Sequence, residues 1–563
     1  MSENDTSILL SDLSQCSPAS CLNRDFEPGK WQMLDYETVE DVSGTMVSAF
    51  PEKDCGELEL PLGATGPHRI YLGINYTKDH YKRWSSFGQL EVKLSGETGF
   101  RRVGAEQLDS DSSKMGIKNV IYKSVQEPYW KTADLTGKSL IFRQPQAPYN
   151  GEKYGQISNL TWVRLVPLDD DEITGWKESM PTEDTKRVAL LFCTKVLTGS
   201  TDSDDTYHPV TEDWCREELV PFSNCDVGVF SFEALRGNFC CYRTKIGHFG
   251  TPDNVWQEEW IDPLEVFTRM CHKNGLKIFV SLRMIGLQYP MNRTPIASAT
   301  YYHGREHLTK KDREGNPTTN VSLAYPEVRA YWLSLLRETL EYGIDGIQLY
   351  LNRSVPVVMY EEPVVTAFME KYGEDPRQLP GDDPRWQQHC ADYATTFVRE
   401  VRALINERPG RELAVSVHGR PHKYDRNPEG FNPIRYTTDV ETWLREGLVD
   451  YVMPSPGVDL ELLRKWRAIG GDRVHLWPDL MPRNQRAEDY ARLARKYYDA
   501  GADGFSVWDG ERRPARLTEF SAIQRLGHRE HIERIIEEGP SWYRRVWLKT
   551  LSGFSITESF RDG

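Results

Sequence analysis

At 563 residues the chain is too long for one compact domain, and two or three are expected. Its 39% hydrophobic and 27% charged content is that of an ordinary globular protein, not of a fibrous or disordered one. A formal charge of −15 argues against nucleic acid as a partner, because its phosphates need a basic face. No run approaches the roughly 18 apolar residues of a membrane span, so no membrane partner is expected either.

The opening stretch, MSENDTSILLSDLSQ, lacks both a basic n-region and a long apolar h-region. Ten cysteines are present, none in a CxxC pair, and their spacing fits neither a zinc site nor a small disulfide scaffold. Cys193 within VALLFCT sits in an apolar run, as a buried free thiol would. The expectation is a cytoplasmic protein with reduced thiols.

Residues 1–180 alternate short strand-like runs with Gly, Asp, Asn and Pro. The runs include His68–Tyr76, Gln89–Leu94, Lys138–Gln144 and Leu160–Leu168, a pattern that predicts a β-sandwich. The acidic stretch DDDEITGWKESMPTEDTK then reads as a solvated linker. From Arg187 the pattern changes to strands alternating with amphipathic helices. Strands are predicted at Arg187–Thr194, Val227–Glu233, Lys277–Met284, Asp345–Leu351, Glu412–His418, Asp450–Pro454, Val474–Asp479 and Gly504–Asp509. The continuous apolar character of the first is that of a strand buried on both faces. Helices are predicted near Glu212–Phe222, Pro263–Asn274, Pro326–Tyr342, Val364–Tyr372, Trp386–Asn406, Thr438–Glu446, Leu460–Ile469, Ala487–Ala500 and Thr518–Leu526. Strand–helix alternation repeated eight times, with no glycine-rich nucleotide loop, predicts an α/β fold. The expected architecture is a (β/α)8 TIM barrel over residues 187–527 with an N-terminal β-sandwich domain. A tail over residues 528–563, containing VWLKTLSGFSI, is expected to pack back on the β-domain.

In such a barrel the chemistry lies at the C-terminal ends of the strands. The polar residues falling there are Thr194, Lys195, Glu233, Arg236, Arg283, Asn352, Arg353, His418, Arg420, Ser455, Trp477, Asp479, Trp508, Asp509 and Glu511, with Tyr360, Glu361 and Glu362 in the loop after the fourth strand. Asp345, Asp450 and Asp503 precede their strands and belong to the opposite end. Glycoside cleavage needs two carboxyl groups flanking the bond, and Glu233, Glu361, Glu362, Asp479 and Asp509 are the candidates. A rim ion pair with a nearby arginine is the structural alternative for each. His418 stands alone with no HxH pair, so a sugar-hydroxyl contact is favoured over a metal ligand; no metal or cofactor is expected. The segments Tyr301–Asn320 and Pro421–Pro433 mix aromatic and charged residues as a substrate lid or a decorated surface loop would.

The runs YPEVRAYWLSLLRETLEYGIDGIQLYLNR, MYEEPVVTAFMEKYGEDPRQL and DPRWQQHCADYATTFVREVRALI resemble the family-ten-like glycosyl-hydrolase-like barrel proteins. The likeness covers roughly Arg187–Leu526 and points to a bacterial branch with an N-terminal β-domain. It implies a barrel acting on carbohydrate. One position departs: relatives carry an acid inside the fourth strand, in a pattern like DGIxLDYxRYP, where this chain reads DGIQLYLNRSVP with Tyr350 in its place.

The expected function is hydrolysis of O-glycosidic bonds in an oligo- or polysaccharide. Glu362 or Glu361 would be the general acid and Asp479 or Glu233 its partner, with Asp509 in reserve. Arg283, Asn352, Arg353, Tyr350, His418 and Arg420 would bind substrate, and Trp477 and Trp508 would be sugar platforms. The rim arginines suggest an acidic or sulfated sugar. Two rivals are a carbohydrate-binding protein on a degenerate barrel, for which Tyr350 speaks, and a metal-dependent hydrolase or lyase barrel. The sequence leaves the oligomeric state open.

Overall fold

A computed structural model describes residues 7–50, 54–75, 90–104, 106, 108, 123–145, 158–193, 210–251, 254–255, 260–284, 305–353, 355–422, 431–511 and 513–556. The sequence-predicted rim residues Thr194 and Lys195 and parts of both candidate lid segments, 301–304 and 423–430, lie outside them.

Eight parallel strands close into a ring: β1 (Val188–Phe192), β2 (Val227–Arg236), β3 (Lys277–Arg283), β4 (Gly346–Tyr350), β5 (Glu412–Gly419), β6 (Tyr451–Val458), β7 (His475–Leu476) and β8 (Phe505–Trp508). Each pairs with the next as far as β7, and β8 returns to β1 through Val188↔Phe505 to Leu191↔Trp508. β7 and β8 meet through the Asp479↔Ser506 bridge. These strands are apolar almost throughout because one face looks into the barrel and the other onto the helices. The interior holds Ala189, Leu191, Val229, Phe279, Ala414, Tyr451 and Met453, and a far larger apolar cluster lies between strands and helices. At the N-terminal end, Asp345 Oδ2 accepts from the Ile278 amide and Asp450 Oδ2 from the Leu413 amide, so these acids tie adjoining strands together.

The N-terminal part is a sandwich of antiparallel sheets. The smaller sheet has four strands in the order Leu58–Pro61, Ser139–Arg143, Leu90–Leu94, Arg101–Val103. The larger runs Ile8–Leu10, Trp162–Pro167, Pro67–Asn75, Ser124–Asp134, Tyr543–Leu551, Trp31–Thr38, Ser43–Ala49, Ser158–Leu160. The strand Tyr543–Leu551, drawn from the far end of the chain, therefore lies in the middle of the larger sheet. It pairs Arg544↔Glu127 on one side and Leu548↔Thr38 on the other. Fully buried Glu127 accepts from Trp162 Nε1 at 2.5 Å, Arg164 Nη2 at 2.6 Å and Arg544 Nε at 2.7 Å. Trp162 reaches it by lying across Gly73, where any Cβ would meet the indole ring at 2.6 Å.

The acidic stretch after the sandwich is not a solvated linker. Asp170–Glu178 is an α-helix whose N-cap Asp169 accepts from the Glu172 amide at 2.8 Å, while Glu172 Oε2 accepts from the Asp169 amide at 3.0 Å. The D-x-x-E capping box and the match of acidic residues to the positive helix N-terminus outweigh the solvation of the charges. The helix packs beside Arg534 through Gly175. Tyr129 of the large sheet stacks on Trp542 at 5.3 Å and accepts from Arg525 Nη2 at 2.8 Å, joining sandwich to barrel. Among the described residues no helix is long and apolar enough to cross a membrane. All ten cysteines are free.

Candidate active site at the barrel mouth

The C-terminal ends of β2, β3, β4, β7 and β8 bring together much of what the sequence put there. Glu233 is fully buried. It lies 3.2 Å from Arg283 Nη1 and 4.0 Å from Arg236 Nε, and its Oε1 is 3.9 Å from the Cys193 sulfur. Burial, aided by Glu233 and Glu511, pushes the Cys193 thiol up to about 12, so it stays protonated and is no nucleophile. Its backbone N–H donates to Glu511 Oε2 at 3.1 Å. Glu233 is thus the anchor of an arginine pair. That is the rim ion pair the sequence offered as the alternative to a catalytic carboxylate.

Tyr350, standing where relatives carry an acid, is 1% exposed and packs on Trp508 with ring centroids 4.6 Å apart. Burial, then the charge of Glu233, raises its pKa. Below it, Gln348 Nε2 donates to Ser416 Oγ at 2.8 Å and Ser231 Oγ bonds Gln348 Oε1, a polar rung across the interior. Arg353 lies over the other partner of this stack, its guanidinium carbon 4.5 Å from the Trp508 ring. Trp508 is 3% exposed and carries Arg353 on its face, so it is a seat for the arginine and not an open sugar platform.

Asp479 is fully buried; its Oδ2 accepts from Ser455 Oγ at 2.8 Å and its Oδ1 from the Trp508 amide at 3.3 Å. Burial raises its pKa against the opposing charges of Arg513 and Arg483. One strand on, Asp509 has a left-handed backbone, φ 56°, and bonds Arg483 Nη1 at 2.5 Å. A non-glycine residue in that region is uncommon and gathers at functional sites. His418 is buried against Tyr436 at 4.9 Å. Burial, with the charges of His422 and Arg353, lowers its pKa to about 4, leaving it neutral above that pH. Asn352 Nδ2 donates to the Ser455 carbonyl at 3.5 Å.

Four expected site residues lie elsewhere. Trp477 is buried, donates from Nε1 to Asp503 at 2.8 Å and stands edge-on to Tyr451. Because Asp503 precedes β8, this indole lies near the barrel floor, not on the rim. Glu361 is buried at the N-terminus of helix Glu362–Tyr372, where its Oε2 accepts from the Met359 amide at 2.7 Å. Its other neighbours are Ser322 and Lys310, and burial raises its pKa. None of these partners belongs to Glu233, Asp479 or Asp509. Glu362 is exposed in the first turn of the same helix. The loop after β4 carries both glutamates outward, so the expected pairing with Asp479 or Glu233 does not form. Arg420 is exposed beside Tyr497 on the helical side.

The hairpin Thr309–Lys311 with Pro317–Val321 replaces part of the first lid candidate, held where Arg313 donates to the Leu379 carbonyl at 3.0 Å and Tyr360 Oη at 2.9 Å. Arg483, which pairs with Asp509, lies four residues past Asp479, beyond any strand period, so the sequence carries no signal for it. Among the described residues the one group with metal-ligand spacing, His528, Glu530 and His531, lies at the other end of the barrel. There His528 Nδ1 bonds Asp226, which leads into β2.

The mouth of the parallel eight-stranded barrel thus gathers buried carboxyl and guanidinium groups. Residues 248–456, which take in β3, β4, β5 and most of β6, match the model of the family described as glycosyl hydrolase-like 10. No curated protein sequence matches the chain. Solved structures similar to it include a cycloalternan-degrading enzyme from Trueperella pyogenes, at 12% identity, TM-score 0.37, over 90% of this chain and 70% of that one. A dextranase from Flavobacterium johnsoniae is similar at 10% identity, TM-score 0.33, over 89% and 59%. An α-amylase from Lactobacillus plantarum is similar at 10% identity, TM-score 0.34, over 63% and 82%.

Proposed function

We propose that the protein hydrolyses O-glycosidic bonds with Asp479 as general acid and Asp509, paired with Arg483, as its partner. The observation that carries this reading is the contrast between the two carboxyl groups. Asp479 is desolvated and held toward its protonated form, while Asp509 is partly exposed and ion-paired with Arg483. A buried carboxyl raised toward its protonated form is what a general acid needs, and a second carboxyl at the same mouth supplies the partner the chemistry requires. The match of residues 248–456 supports the substrate class.

The test is reducing-end release from a panel of oligosaccharides. Asp479→Asn and Asp509→Asn are each expected to lower kcat by about 10²–10⁴-fold, the usual worth of a general acid or base. On an aryl glycoside with a good leaving group, which needs no protonation, the Asp479→Asn loss is expected to shrink and the Asp509→Asn loss to persist. Release undiminished in both variants would overturn the assignment. Tyr350 in the position where relatives carry an acid favours a second reading, a degenerate barrel that binds carbohydrate without cleaving it. Binding with no release from any member of the panel would establish that one.

A further inference from the structure

Arg353 is half-buried at the end of β4 and forms no ion pair with any described residue, and its Nε is buried without a hydrogen-bond partner. The carboxylates that attract it, Asp509 and Asp479, make their own bonds elsewhere, Asp509 to Arg483 and Asp479 to Ser455 and the Trp508 amide. Arg283 adds a second cation nearby, with its own Nε buried and unpartnered. Two neutral groups complete the surroundings. His418 and Asn352 are each 2% exposed, and His418 Nδ1 and Asn352 Oδ1 have no partner. A half-buried guanidinium that faces carboxylates bonded to other groups has donors to spare, and a bound anion is the ordinary way to use them. Its planar fork, seated over Trp508 with the guanidinium carbon 4.5 Å from the ring, suits a carboxylate or sulfate bound through two parallel N–H···O bonds.

We propose that Arg353 is the specificity determinant of the mouth, seating an anionic substituent, carboxylate or sulfate ester, of the sugar bound there. His418 and Asn352 take its neighbouring hydroxyls. This deepens the proposed function, since it takes the mouth to be the carbohydrate site.

The experiment is equilibrium binding with chemically matched pairs, so that turnover is not the readout. One pair is a glucuronate-containing disaccharide and its carboxyl-reduced product. The other is a sulfated disaccharide and its desulfated product. In at least one pair the acidic member is expected to bind roughly tenfold or more tightly, with the advantage shrinking as salt rises. Which pair responds distinguishes carboxylate from sulfate. Arg353→Met, which keeps a stem over Trp508, should abolish the advantage, and Arg353→Lys should keep part of it. A thermal midpoint for each variant separates lost binding from lost fold, and Arg353→Lys carries the test if Arg353→Met is unfolded. Equal binding within both pairs, or an advantage that survives loss of the guanidinium, overturns the proposal. An acidic preference without any hydrolysis would refute the glycosidase and leave the anion seat standing.

Discussion

A chain ending at Gly539 is expected to lose the N-terminal sandwich, although the cut falls far along the sequence from that domain's last contiguous strand, Trp162–Pro167. Tyr543–Leu551 supplies the only connection, within the larger sheet's strand order, between Ser124–Asp134 and Trp31–Thr38. Its removal unpairs two ladders, strips Val546 and Leu548 from the apolar cluster around Tyr36, Met46, Val125 and Trp162, and takes Arg544 from Glu127. Each fully buried aliphatic side chain is worth about 1.5–3 kcal/mol, so the two alone approach a sizeable part of a domain's net stability of about 5–15 kcal/mol. Hydrogen exchange of the truncated chain should show free exchange over residues 31–49 and 124–134, with barrel amides still protected. Native-like protection in the sandwich would show that the sheet closes without this strand.

The second large effect is expected from Glu127→Gln. Breaking a buried, multiply bonded charge by removing one side costs about 3–5 kcal/mol, because the arginines left behind lose their counter-ion. Burial by itself would raise the Glu127 pKa, but the bonds and charges of Arg544 and Arg164 outweigh it and bring the pKa below the ordinary 4.5. A depressed carboxylate contributes stability that is present above the unfolded-state pKa and lost as pH falls through the folded one. The wild type should therefore lose stability as pH falls below about 4.5, and the variant should show a shallower loss over that range. Denaturant midpoints for both proteins at neutral and acidic pH measure it. Equal slopes would show that Glu127 is not the group titrating.

The barrel was legible in the sequence because its strands announce themselves locally. A run such as VALLF is apolar on both faces, and no surface strand needs that. Lateral position was harder to read than order. Trp477 and Asp479 are two residues apart, yet one indole points to the floor and the other side chain to the mouth, a difference set by the short, irregular course of β7. Glu361 looked like a rim acid because the loop after β4 starts at the rim. Where that loop travels is decided by contacts with the hairpin and the helix Pro384–Asn406, such as Tyr360 stacked on Trp386 at 4.8 Å. The tail containing VWLKTLSGFSI was expected against the β-domain, but its pairing there spans more than four hundred residues and leaves no local trace.

The order in which the ribosome delivers these strands now matters. Ser124–Asp134 and Trp31–Thr38 emerge early and the segment that joins them emerges after the whole barrel. Until then the nascent sheet holds a slot between two unsatisfied edges, the kind of template that captures a strand from a neighbouring chain. The barrel, whose strands pair with their successors, can close while the sandwich waits. Synthesis of this protein is therefore a race between the arrival of its own late strand and the intrusion of someone else's, and a permuted chain that makes Tyr543–Leu551 first would remove the wait.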